Sequence, residues 1–236
     1  MTNRFLLLHG SWHGAWCWFK VAPRLRAHAE VLVPNLPGRG ARTPFVTLKT
    51  MLAAVEALLD DDRPTTIVAH SRYGILATAL AEARPAAVKR VVYLASFMLR
   101  SGERVADLFP KDEGSLVREH VKVNRLSVTD SLSAEIWREG LYADCSEDDV
   151  ALASSLLCAE PSWPALTRVR TTAERFGTVP RSYLRLTQDR AVSPAMQDRL
   201  IDALPPQRVE SIEASHSAYF SKPDALVRAI LSVSGA

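Results

Sequence analysis

Ser71 stands where an apolar run meets a small-residue helical pattern, in Ile67-Val68-Ala69-His70-Ser71-Arg72-Tyr73-Gly74. Residues 65–69 read as a buried strand. Ile75, Leu76, Ala77, Ala79 and Leu80 carry helical spacing toward Arg84, and Pro85 ends it. A serine on so tight a strand-to-helix turn has its hydroxyl held above the sheet edge. Backbone N–H groups and the helix N-terminus there face any negative charge that develops. This is the geometry of a nucleophile for acyl transfer, and its pattern is G-x-S-x-G. Ala69 replaces the first glycine, a mild change. Tyr73 stands at the second, with Gly74 one residue late. Backbones come close at that point and favour a residue without Cβ, so Tyr73 is expected to crowd the turn, or Arg72 and Tyr73 to give a pocket a cation and a phenol for an unusual substrate. The plainer reading of the stretch is a buried serine opening an ordinary helix.

A serine nucleophile needs a base, and the base needs a third group to orient it. Asp189, in Thr187-Gln188-Asp189-Arg190, and His216, in Ala214-Ser215-His216-Ser217, each follow a strand pattern. Loops at the carboxyl ends of parallel strands open on one edge of a sheet, so Ser71, Asp189 and His216 are expected to converge. Asp189 could instead be a turn aspartate and His216 a surface histidine; Asp202 and Glu213 are rival acids inside or beside regular elements. An oxyanion hole takes two backbone donors. The N–H of Arg72 follows the nucleophile, and the N–H of Ser11 lies in the loop after the first strand. Gly10 would let a substrate oxygen come close. Trp12, Tyr73, Trp137, Leu157 and Trp163 are candidate pocket residues with Gly10, Phe109 and Tyr142 could join the roof from the insertion, and Trp16 and Trp18 read as core. His70 is assigned to packing, and His28 and His120 to the surface. His9 and His13 hint at a metal pair but lack a third ligand. There is no glycine-rich phosphate loop or dinucleotide fingerprint, so no cofactor and no metal are expected.

The elements that position these residues alternate at first. Strands are expected at 4–9, 31–33, 65–69 and 88–95, with helices at 15–27, near 51–59 and at 75–84, and a loop at 35–44. Thr47 or Thr50 could cap the second helix. Such alternation argues a parallel sheet covered on both faces. It breaks at Ser96. Residues 96–176 show no convincing strand and read as short helices at 105–109, 116–123, 131–139 and from Ser146 onward, an inserted helical cap over the sheet edge. Strands return at 182–186 and 208–212, with helices at 194–204 and 223–233. One domain over 1–236 is expected, with its core at 1–95 and 177–236.

The chain has 236 residues, 47% hydrophobic and 23% charged, with net charge +3, ordinary values for a soluble globular protein. The basic residues are scattered, which excludes an obvious nucleic-acid surface. No apolar run approaches a membrane span, and the apolar start is too short for a signal sequence. Cys17, Cys145 and Cys158 form neither a metal pattern nor a disulfide framework. A reducing compartment, the cytoplasm, is expected.

Three stretches together identify a likeness: His9-Gly10-Ser11-Trp12-His13-Gly14-Ala15-Trp16-Cys17-Trp18, the turn around Ser71 with Ala95-Ser96-Phe97-Met98, and Leu141-Tyr142-Ala143-Asp144-Cys145-Ser146-Glu147-Asp148-Asp149-Val150-Ala151-Leu152-Ala153. With Thr187-Gln188-Asp189 and His216, they resemble small α/β-hydrolases of the plant methylesterase and hydroxynitrile lyase group, which has bacterial esterase relatives. The resemblance implies an α/β-hydrolase fold with a mainly parallel sheet of about six strands, and a triad of Ser71, Asp189 and His216. Hydroxynitrile lyases of the group carry threonine at the position of Gly10 and lysine at that of Ser217, so the likeness favours ester hydrolysis. A small-molecule ester or related apolar compound is the expected substrate. No nucleic-acid or membrane partner is expected, and a homodimer stays open. Two alternatives keep the fold: a natural-product tailoring enzyme that cyclises, rearranges or cleaves a carbon–carbon bond, and a ligand-binding receptor with little turnover.

Overall fold

The computed structural model describes residues 3–38, 45–60 and 62–235. The expected loop at 35–44 lies partly outside the described residues. In chain order come β1 (Arg4–Leu8), α1 (Val21–Arg26), β2 (Glu30–Leu32), α2 (Leu48–Glu56), β3 (Thr65–His70), α3 (Gly74–Ala83) and β4 (Val88–Leu94). An insertion follows, with α4 (Val105–Leu108), β5 (Val121–Asn124), β6 (Thr129–Leu132), α5 (Trp137–Leu141), α6 (Glu147–Leu156), β7 (Glu160–Pro161) and α7 (Trp163–Leu166). The chain then returns through β8 (Arg181–Leu186), α8 (Pro194–Ala203), β9 (Arg208–Ile212), α9 (Ala218–Ser221) and α10 (Pro223–Ser234).

Six strands form one sheet in the order β2-β1-β3-β4-β8-β9, and every neighbouring pair is parallel. The central strand β3 is buried along its whole length, as a sheet covered on both faces requires. The period-two alternation of side chains sorts the core into two layers. Phe5, Leu7, Val68, Val92 and Leu94 pack on one face with α1 and α10 residues such as Leu25 and Ile230. Leu6, Leu8, Ile67, Val91 and Tyr93 pack on the other with Val55, Leu76 and Leu80 of α2 and α3. Helix starts are marked chemically. Thr47 caps α2 by accepting from the N–H of Thr50, Ser146 caps α6 through that of Asp149, and Ser193 caps α8 through that of Met196.

The insertion corrects the sequence reading. It is not purely helical: β5, β6 and β7 make an antiparallel sheet, with Val121 opposite Leu132 and Asp130 opposite Glu160. Residues 121–123 and 131–132, expected in helices, are strand. The segment 118–124 escapes detection because β5 is mostly exposed and only four residues long. Its pairing partner, rather than its own periodicity, makes it a strand. The sites on β6 and β7 that face the main sheet matter most, because they meet the loops after β1 and β3.

Candidate active site

The turn after β3 is built as the sequence suggested, but its glycine requirement sits elsewhere. Ser71 has φ +57°, a left-handed conformation that is costly for a residue with Cβ. Its carbonyl accepts from the N–H of Phe97 at 3.0 Å and from the Ser96 hydroxyl at 2.5 Å, which pins the strained residue against the loop after β4. Gly74 makes the close approach. A Cβ there would lie 2.5 Å from Ser96 Oγ and 2.6 Å from the carbonyl oxygen of Phe97. Tyr73 has an ordinary negative φ of −82°. It is fully buried, and it neither fills nor lines the neighbouring cavity. Its hydroxyl donates to Glu160 of β7. The expected crowding is therefore absent: the phenol runs beneath the turn toward the insertion, and Gly74 supplies the clearance.

Asp189 and His216 meet. Asp189 follows β8 and His216 follows β9, so neighbouring strand ends bring the two loops side by side. The Nδ1 of His216 lies 2.7 Å from Oδ2 of Asp189, and both side chains are almost wholly buried. The other carboxylate oxygen accepts from the N–H groups of Ala191 at 2.7 Å and Val192 at 3.0 Å. Three donors thus hold Asp189 in place. The rival acids are elsewhere: Asp202 is exposed on α8, and Glu213 accepts from Gln188 at the surface.

His70 does more than fill space. Its ring centroid lies 4.3 Å from that of His216, and its Nε2 lies 3.0 Å from the carbonyl oxygen of His216, to which it must donate. Burial first, and then the neighbouring His216 and His13, push its basicity well below that of a free imidazole. A neutral His70 therefore braces the loop that carries His216. Gly10 packs against it, since a Cβ there would come within 2.7 Å of His70 Nδ1 and 3.0 Å of the Ser71 Cβ. His9 and His13 hold the loop after β1. His9 Nε2 accepts from the N–H of Leu36, and His13 Nδ1 lies 2.7 Å from the Ser11 carbonyl oxygen. Among the described residues no cluster of His, Cys, Asp or Glu is placed to hold a metal ion.

Ser71 and His216 line one cavity of about 240 Å³, together with Ser11, Trp12 and Arg72. Its remaining walls are mainly apolar, with Phe97, Val105, Phe109, Val117, Val121 and Leu166 among them. Of the residues expected in the pocket or its roof, Trp12 and Phe109 are in the wall, and Tyr142 is buried against His13 instead. Gly10 and Tyr73 lie behind the wall. Trp137 turns its indole N–H to the Leu132 carbonyl, Leu157 packs on the core beside α6, and Trp163 is 40% exposed.

The wall contains a polar cluster whose acids, Asp130 and Glu160, sequence reasoning missed. Asp130 and Glu160 sit directly opposite each other on β6 and β7, a like-charge pairing that is unfavourable without compensation. The loops after β1 and β3 compensate it. Arg72 grips Asp130 with two contacts of 2.9 Å. Trp12 donates its indole N–H to Asp130 at 2.9 Å and its backbone N–H to Glu160 at 2.6 Å. Ser162 donates its hydroxyl to Asp130 at 2.9 Å. Burial alone would weaken Arg72 as a base, but the charges of Asp130 and Glu160 outweigh this and keep it protonated. Two carboxylates facing each other across a short strand pair would have been the signal, had those strands been recognised.

A family model described as the alpha/beta hydrolase family matches residues 5–229. Among curated proteins, putative methylesterase 14, chloroplastic, of Arabidopsis thaliana is 28% identical over 99% of this chain and 72% of its own length. Methylesterase 9 of the same plant is 28% identical over 98% of each chain. Among solved structures, a pyrethroid hydrolase from Sphingobium faniae JZ-2 superposes with a TM-score of 0.88 at 22% identity, over 100% of this chain and 98% of that one. No helix among the described residues is long and apolar enough to cross a membrane.

Proposed function

Because the chain belongs to the alpha/beta hydrolase family, we propose that the cavity is the active site of a serine esterase acting on a small, largely apolar carboxylic ester. The observation that carries this is the buried 2.7 Å contact between His216 and Asp189, with His216 and Ser71 on the wall of one cavity. The methylesterase relatives support the ester class.

In this reading Ser71 Oγ attacks the ester carbonyl while His216 takes its proton. Asp189 holds the imidazole with its proton on Nδ1, so that Nε2 is free to accept, and it stabilises the cation that forms. The N–H groups of Ser11 and Arg72 receive the oxyanion. His216 then protonates the leaving alcohol. Water, activated by the same ring, releases the acid from the acyl-enzyme and regenerates Ser71. The suppressed basicity of His70 leaves His216 as the ring that takes up the proton, since two adjacent cations would repel each other. The cap over the sheet edge is the inserted segment, and its β-strands and short helices provide the apolar roof.

Replacing Ser71 with alanine tests the assignment. Ser71→Ala is expected to abolish turnover of p-nitrophenyl and methyl esters, and labelling by an alkyl fluorophosphonate, with an unchanged circular dichroism spectrum. Retention of full activity would show that another group is the nucleophile.

A further inference from the structure

The polar cluster in the cavity wall has an asymmetry that bears on what binds there. A carboxylate offers about four acceptor positions. On Asp130, Oδ1 takes Trp12 Nε1 and Arg72 Nη2, while Oδ2 takes Arg72 Nη1 and the Ser162 hydroxyl. Asp130 is thus saturated and has nothing left to accept a ligand's proton. Arg72 is not saturated. A guanidinium carries five N–H groups. Two are spent on Asp130, and a third points at the Pro161 carbonyl at 3.5 Å. The Nε–H and the second Nη2–H have no partner among the described residues, although Arg72 is 8% exposed and lies in the cavity wall. The group is also held still. Both its terminal nitrogens are anchored, and its Cζ sits 5.8 Å from the centre of the Trp12 ring. A fixed, unfilled donor in an apolar wall selects for a ligand acceptor, because leaving it unpaired in a filled cavity is costly.

Charge narrows the class. The positive charge of Arg72 is matched by Asp130, its bidentate partner, and Glu160 is close by. Among the described residues this pair leaves no net positive charge for a second anion. We propose that the Arg72 side chain forms a polar subsite for an uncharged acceptor oxygen, such as an ether, ketone or amide oxygen, carried by the substrate near the ester group. Ser71 and Arg72 line the same cavity, so this oxygen is carried by the same bound ester as the reacting carbonyl. The chain therefore prefers oxygenated esters over plain alkyl esters. This inference rests on the esterase reading above and specifies its substrate class.

The test uses p-nitrophenyl esters of a straight-chain acid and of its oxa-analogues, in which an ether oxygen replaces one methylene at successive positions. Each kcat/KM is divided by the rate constant of the same ester with hydroxide, which removes intrinsic reactivity. For the wild-type protein, at least one oxa position is expected to gain roughly tenfold over the alkyl ester. That gain is expected to vanish in Arg72→Met/Asp130→Asn, which removes the donor and both charges together, keeps an acceptor oxygen for the Trp12 indole and lets the Ser162 hydroxyl accept from the new amide. A gain that persists in the folded double variant overturns the proposal, as does a wild-type series flat at every position. A carboxylate-bearing analogue that outperforms every neutral one overturns its uncharged character. The wild-type series decides the matter even if the variant does not fold. Alkyl fluorophosphonate labelling separates the two failures: absence of labelling and of all ester hydrolysis refutes the esterase reading, whereas labelling with a flat oxa series refutes only the subsite.

Discussion

Asp189→Asn separates an orienting acid from a merely buried one. The carboxylate holds three donors: the N–H groups of Ala191 and Val192 on one oxygen and His216 Nδ1 on the other. Asparagine can satisfy the two backbone donors only by placing its carbonyl oxygen on their side. Its NH2 group then faces His216 and must donate to Nδ1. This pins the imidazole proton on Nε2, the nitrogen required to accept from Ser71. The fold keeps both backbone hydrogen bonds, so the melting temperature should change by only a few degrees. The base, however, is held in the wrong tautomer. Such a swap in a serine triad lowers kcat by about 10⁴, equivalent to about 5 kcal/mol of barrier. The assay is steady-state hydrolysis of a p-nitrophenyl ester near pH 8, with KM measured separately to show that binding is retained. A loss of less than about tenfold would refute the reasoning, because it would mean that His216 does not depend on Asp189 for its tautomer.

Two further substitutions test the surroundings. Restoring the glycine of the usual motif, Tyr73→Gly, should destabilise the protein rather than activate it. It empties a fully buried aromatic site and removes the hydroxyl donor to Glu160, at a cost of at least about 3 kcal/mol. Urea unfolding would measure this, and a more active variant of unchanged stability would contradict it. His70 carries a pH signature. Its basicity is depressed in the fold, so its contribution is fully present above the free-imidazole value of about 6.5 and is lost as pH falls below it. Unfolding free energy should therefore fall between roughly pH 7 and pH 5, and the slope should be shallower in His70→Gln. Equal slopes in the two proteins would exclude His70 as the titrating group.

Much of the framework was legible because its signals are local. The strands that precede Ser71, Asp189 and His216 are short and each is followed by a loop, and parallel order places all three loops on one edge. The ends of α2 and α6 carry side chains that cap them. The missed features depend on partners far away in sequence. Tyr73 looks misplaced until Glu160, 87 residues later, is seen to take its hydroxyl. β5 and β6 are four-residue strands whose identity comes from each other. Trp137, Leu157 and Trp163 are aromatic or aliphatic, as a roof requires, yet composition cannot say which apolar residues of an insertion face inward. His70 was read as packing, and it does pack. Its partner turned out to be His216, and no spacing along the chain could have shown that.

The bonds from Arg72 to Asp130 and from Tyr73 to Glu160 join two stretches of polypeptide whose histories are thereby tied. Altering either acid alone takes a hydrogen-bond partner from a buried cation or phenol, and altering either elbow residue alone takes a donor from a buried carboxylate. Exchange with an ordinary glycine-type elbow thus requires coordinated replacement on both sides, so each intermediate step is penalised. Grafting this insertion onto a relative, or a relative's insertion onto this core, would succeed only if positions 12, 72, 73, 130 and 160 travelled as one inherited unit.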